Sequence, residues 1–243
     1  MTISVDRVKT FVWQHVLLLF SLELMTIGVD LCIKSSLGSS VISSIPYILT
    51  LAGEHGMAFP LTVGGYTIAM NFFLVICQIL LLRRRFQLVQ LFQLVIGYVF
   101  GWLIDVNNVL LEPLACDSLW PQILCQFSGC LVMGIGITLE VKCGSVTMPG
   151  EGITIALGLV SGRPFAKVKI VVDTLLVIGA VVCCYVFFGH WIWSVIGPGT
   201  LFAMIFIGLV VKVLTPRVRW FDMLLERPRY AVGLLAKTLK HKS

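Results

Sequence analysis

The sequence predicts an all-α polytopic membrane protein with six transmembrane helices and two short re-entrant or broken helices, arranged as an inverted-topology repeat. Three observations carry that expectation. The chain is 58% hydrophobic and 12% charged, with a mean hydropathy of +0.99 over 243 residues, a composition that no water-exposed surface of this size accommodates. Two apolar stretches are too short to span a bilayer and each follows Gly, Ser or Pro residues, as in "SLGSSVISSIPY" and "GSVTMPGEG". The two halves of the chain also resemble each other.

A helix needs about 20 residues to cross the hydrocarbon core. By that measure the spans cover roughly 11–33, 61–82, 88–111, 121–141, 167–189 and 195–214. The first follows Arg7 and Lys9 like a secretory signal, but it carries Glu23 and Asp30 and lacks a small-residue cleavage site, so it is a retained span. The two short pieces lie at about 41–53 and 151–161.

Charge parity decides whether the short pieces cross. If both did, Arg83–Arg85 would face outward, against the rule that basic loops stay inside. If neither does, the N-terminus, Arg83–Arg85, the loop "GRPFAKVK" and the tail all fall inside, and the acidic loop Glu112–Ser118 falls outside. The organisation expected is a cytoplasmic N-terminus at 1–10, a first membrane repeat at 11–112, a second at 121–214 and a basic cytoplasmic tail at 215–243. Both termini are expected to be cytoplasmic. The tail reads either as an amphipathic segment on the anionic inner leaflet of the lipid bilayer or as a plain solvated tail. The net charge of +6 is spent on this orienting pattern, which argues against a nucleic-acid partner.

The repeat is read from "IGVDLCIKSS" at Ile27 against "IGITLEVKCG" at Ile135, and from "NFFLVI" at Asn71 against "DTLLVI" at Asp173. Each copy has three crossings, so the second enters from the opposite side. Backbone that is not helical at membrane depth is tolerated only where protein buries it or where it lines a watery cavity. Inverted repeats with such interruptions are the pattern of secondary transporters. The two interrupted segments then form one site. Ser39, Ser40, Ser43, Ser44 and Thr147 supply hydroxyls, and the starts of the short helices supply amides and positive dipole ends. Each of these serines also has a plain packing role open to it.

Ionisable residues within spans are costly unless paired or hydrated. Glu23, Asp173 and Glu151 are expected to be deep, with Lys169 one helical turn from Asp173 and able to meet it. Asn71 is the neutral counterpart of Asp173. Asp30, Lys34, Asp105, Glu140 and Lys142 lie near span ends, where reaching to the interface is the expectation. Substrate-binding candidates are therefore Ser39, Ser40, Ser43, Ser44, Asn71, Thr147, Glu151, Lys169 and Asp173.

The segments "SLGSSVISSIPY", "RRRFQLVQLFQ" and "MPGEG" followed by "KVKIVVD" resemble the YczE/YitT-like group of bacterial integral membrane proteins, over about residues 11–215. The resemblance implies a multi-pass protein of the bacterial cytoplasmic (inner) membrane and lends no catalytic residues.

No HExxH, GxSxG or paired-Asp motif is present, and the four histidines are scattered, so an intramembrane enzyme is disfavoured. Eight cysteines form no CxxC pair, so neither zinc nor a disulfide framework is expected, and no cofactor is implied. The expected function is secondary-type transport of a small solute, with the helix starts and lysines pointing to an anionic group. The alternative is a substrate-capture or assembly subunit of a larger complex. Self-association into a homo-oligomer is left open by the sequence.

Overall fold

The computed structural model describes residues 5–218, and every regular element among them is helical. They run α1 (Val5–Lys34), α2 (Ser44–Glu54), α3 (Val63–Leu82), α4 (Phe92–Leu110), α5 (Leu119–Cys143), α6 (Pro149–Ser161), α7 (Phe165–Phe188) and α8 (Pro198–Leu214), with two 3₁₀ turns at Arg83–Arg85 and Leu88–Leu91. Five of these are long and apolar enough to cross a membrane, at Val12–Lys34, Val63–Arg85, Leu88–Leu110, Leu119–Cys143 and Lys167–Phe188. The expected tail from residue 219 onward lies outside the described residues.

The helices stop where the sequence demands it. Gly144, Gly162 and Gly189 end α5, α6 and α7 with φ of +65°, +65° and +70°, the left-handed conformation that glycine takes without penalty. Pro149 opens α6 and Pro198 opens α8, each at a first-turn position where the missing N–H costs nothing. The last helix is shorter than the 195–214 span the hydropathy suggests. Residues 195–197 belong instead to a connection: the Val195 carbonyl accepts bonds from Ser39, and Leu37 O accepts from Gly199 N.

The core is built on α1 and α5, which pack along each other. Glycines bring their backbones together. A Cβ added at Gly28 would lie 2.7 Å from the Gly129 carbonyl oxygen and 2.8 Å from the Met133 amide nitrogen, and one at Gly136 would lie 2.9 Å from Ser21 O and 2.9 Å from Met25 N. Small residues permit this approach, which drives helix association in lipid through packing contacts. Around the pair, α4 packs on α1 and α8 on α5; α3 packs on α6 and α7 on α2; α2 packs on α3 and α6 on α7. The extensive α3–α4 contact has no counterpart between α7 and α8.

The outward faces are apolar. Phe73, Ile76 and Leu80 on α3, Ile170, Leu175, Ile178, Val182 and Val186 on α7, and Leu201, Ile205 and Leu209 on α8 are all exposed. An apolar surface of that extent needs a partner other than water, and together with the five long helices it fits a multi-pass membrane protein.

Candidate functional site

The site forms where α6 begins. Glycines at 150 and 152 leave the first turn of that helix bare on two sides. A Cβ at Gly150 would meet Ile42 Cδ1 at 2.5 Å, so the two interrupted segments touch there. A Cβ at Gly152 would meet Gln93 Oε1 at 2.6 Å and Gln78 Oε1 at 2.7 Å. Gln78, on α3, and Gln93, on α4, are both buried; Gln78 Nε2 donates to Gln93 Oε1 (3.0 Å) and to the Pro149 carbonyl (3.2 Å). Their amides thus hold the start of α6 in place.

Four ionisable side chains gather around that start. Glu140, in the last turn of α5, accepts from the Met148 amide at 2.8 Å through Oε1, which fixes the α5–α6 connection. Its Oε2 is buried with no hydrogen-bond partner. Glu151, in the first turn of α6, has the same property at its own Oε2. On α7, Lys169 Nζ donates to Asp173 Oδ1 at 2.7 Å. Lys169 also lies close enough to Glu151 and Glu140 to feel both charges, and Glu140 and Glu151 feel each other. Three acids therefore share one base. Buried carboxylate oxygens left without donors are costly, so each such group calls for an explanation.

The structure brings Glu151, Lys169 and Asp173 together as expected and adds Glu140, Gln78 and Gln93. Glu140 does not reach an interface: it is 2% exposed. Its position three residues from the end of α5 suggests snorkelling, but the chain turns back into the protein at Gly144, so the end of that helix is itself covered. The glutamines carry no charge and belong to no motif, so only the close approach demanded by "PGEG" could have hinted at them.

The remaining candidates lie elsewhere. Ser39 donates its hydroxyl to Val195 O at 2.9 Å. Ser40 and Ser43 bond each other at 2.6 Å, and Ser44 donates to Val41 O at 2.6 Å. All four are buried, and their hydroxyls are occupied by their own segment and its support. Thr147 is half-buried in the α5–α6 connection. Asn71 is buried against Gly97, with Nδ2 donating weakly to Gly97 O at 3.4 Å and Oδ1 unpartnered. It sits seven residues, roughly 10 Å along α3, from Gln78. Asp105 is satisfied by the start of α3, accepting from Thr62 Oγ1 (2.7 Å) and Gly64 N (2.9 Å). It acts as a cap.

No solved structure matches the chain. Among curated proteins it is similar to the uncharacterized protein YyaS of Bacillus subtilis (strain 168), at 24% identity over 200 residues, covering 80% of this chain and 89% of that one. Residues 12–216 match a family of unknown function, DUF6198, and the chain belongs to that family.

Proposed function

We propose that this protein is a secondary-type membrane transporter of a small solute, which binds at the start of α6 between two inverted repeats. The observation that carries the reading is the group Glu140, Glu151, Lys169 and Asp173, its two glutamates buried and each with an orphaned carboxylate oxygen, at the contact between two interrupted segments. Packing alone has no use for such a group, and transporters place theirs near the midplane at the repeat interface.

Four features support the repeat. The sequence copies are related by a shift of 108 positions through the first helix and the interrupted segment, Ile27 to Ile135, and of 102 in the next long helix, Asn71 to Asp173. Under the first shift Gly28 becomes Gly136, Ser21 becomes Gly129 and Met25 becomes Met133, so the two glycine contacts at the α1–α5 crossing are reciprocal. Ile42 becomes Gly150, and these two touch, as residues on a two-fold axis do. The helix pairs also exchange: α3 on α6 with α7 on α2, and α4 on α1 with α8 on α5. In this reading α8, with 17 residues, is the sixth span at the short end of the usual range. Helices α2 and α6 are the broken pair, the YczE/YitT-like resemblance is the narrower family placement, and both termini face the cytoplasm of a bacterium.

The chemistry suggests the solute. Lys169 can take an anionic group, whereas the surplus of carboxylates favours an ammonium, so a zwitterion matches both. Rocking of one repeat against the other would expose this site to each side in turn. A thermal-shift screen of the purified protein against amino acids and other small zwitterions tests it, since a ligand that binds only the folded state raises its apparent stability. A hit whose stabilisation vanishes in Glu151→Gln, followed by uptake into liposomes carrying the protein alone, is the expected result. Co-purification with an ATPase and no uptake by the chain alone would favour the capture-subunit reading.

A further inference from the structure

Asp30, on α1, is the most completely orphaned group in the described structure. It is 1% exposed, and neither Oδ1 nor Oδ2 has a hydrogen-bond partner. We propose that Asp30 is a proton-binding site, held as a neutral carboxylic acid in the resting protein and separate from the group at the start of α6.

The surroundings explain why a proton is the ligand. The charged and titratable groups facing Asp30 are Asp105 on α4, Lys34 and Glu23 on α1 itself, and the Cys32–Cys130 thiol contact, 3.8 Å across α1 and α5. Asp105 is fully engaged as a carboxylate at the start of α3, so a second charge at Asp30 would face a fixed like charge. Lys34 lies one turn along α1, yet Asp30 accepts no bond from it. The nearby hydroxyl is also spent: Thr26 Oγ1 donates to the Glu23 carbonyl and accepts from Asn107 Nδ2 at 2.9 Å. A hard metal ion takes about six or more oxygen ligands, and no group of three or more His, Cys, Asp or Glu suited to a metal exists among the described residues. A proton needs only the one carboxyl. Once bound, it provides a donor that can turn onto a carbonyl of the preceding turn, and it removes the buried charge.

Position gives this acid a use. Asp30 is four residues, about 6 Å, from the end of α1, and Glu140 occupies the last turn of α5. If the repeats are inverted, those ends face opposite sides of the membrane. Asp30 is then the outward-side proton site and Glu140 with Glu151 the inward-side one, an assignment that rests on the transporter reading; proton binding at Asp30 does not.

Infrared spectroscopy of the purified protein in liposomes, prepared with and without aspartate carrying ¹³C at its side-chain carboxyl, tests proton binding with no solute present. At neutral pH the account expects a protonated-carboxyl C=O band that shifts on aspartate labelling and bleaches on a jump to alkaline pH. The Asp30→Asn variant should lose it, while Glu140→Gln and Glu151→Gln keep it. If Asp30→Asn does not fold, absence of the band in the labelled wild-type protein still overturns the proposal, and its loss in Asp105→Asn or Asp173→Asn assigns the proton away from Asp30. Absence of any aspartate-shifted carboxyl band at neutral pH overturns the proposal, as does a band that persists in folded Asp30→Asn. Either failure leaves solute uptake to be judged on its own.

Discussion

The two interrupted segments make the same detour and differ in what they leave unsatisfied. The first, from Ser35 to Ser43, spends its polar groups on itself and on its support: Ser35 bonds Gln126, Ser39 bonds Val195, and Ser40 bonds Ser43. The second, from Gly144 to Gly152, ends in a charged first turn and leaves Glu140 and Glu151 with orphaned oxygens. In the proposed repeat, Thr67 and Asn71 on α3 correspond to Lys169 and Asp173 on α7, neutral groups where the second half carries an ion pair. Similar backbones thus carry opposite solutions to one problem. The first interrupted segment of that proposed repeat closes its own hydrogen bonds, whereas the second begins its helix beside unsatisfied carboxylates.

The largest effect is expected where the halves are alike. Gly28→Val and Gly136→Val each press a branched side chain into facing backbone already under 3 Å from an added Cβ. Each should cost about 1–3 kcal/mol or more, the usual range for overpacking, read as a fall in detergent melting temperature. A large loss at one position with none at the other would break the symmetry of the crossing.

The halves should diverge at the next pair. Glu151→Gln keeps shape and removes charge, so it should fold and lose ligand-induced stabilisation, whereas Ser43→Ala at the corresponding position should retain it. Equal behaviour of the two variants in the same thermal-shift titration would remove the distinction between scaffold and site.

Smaller is the effect of Ser39→Ala. It deletes a hydroxyl bond to Val195 O but leaves the backbone bond to the same oxygen, so a loss of about 0.5–1 kcal/mol is expected with solute binding unchanged. A loss of binding there would bring the first segment into the site.

The smallest concerns the connection between the halves. Cys116 and Cys125 sulfurs lie 2.9 Å apart at the start of α5. Diamide should take two electrons and two protons from them, forming one disulfide and lowering the alkylatable thiols from the eight cysteines present to six. With intact cells, an impermeant maleimide should reach Cys116 from outside. Labelling of an introduced cysteine at Arg84 from that side instead would reverse the topology.

Much of the fold was legible because lipid imposes few solutions. Hydropathy located all eight helices, and "SLGSSVISSIPY" and "MPGEG" marked both interruptions. The start of α8 was not, because Val195–Gly197 are as apolar as a span; they leave the helix where the Val195 carbonyl accepts from Ser39, a contact between distant segments. Within the site, Lys169 and Asp173 were readable from their four-residue spacing on one helix face. Asp30 and Glu140 were misjudged as groups reaching for an interface. Distance from a helix end measures depth only where that end meets water, and both helices instead turn back into protein at Ser35 and Gly144.

The central claim is that the charges on α7 act on a solute rather than merely on each other. Removing one partner of a buried pair strands the other at a cost of about 3–5 kcal/mol; here the loss should be smaller, since the Lys169 side chain is 33% exposed. Lys169→Met and Asp173→Asn should each lower stability, and the double variant should recover much of it. Stability and liposome uptake of a solute identified by the thermal-shift screen, measured together on the double variant, decide the matter. A folded double variant that does not transport is the predicted result, and full transport by that variant would contradict the account.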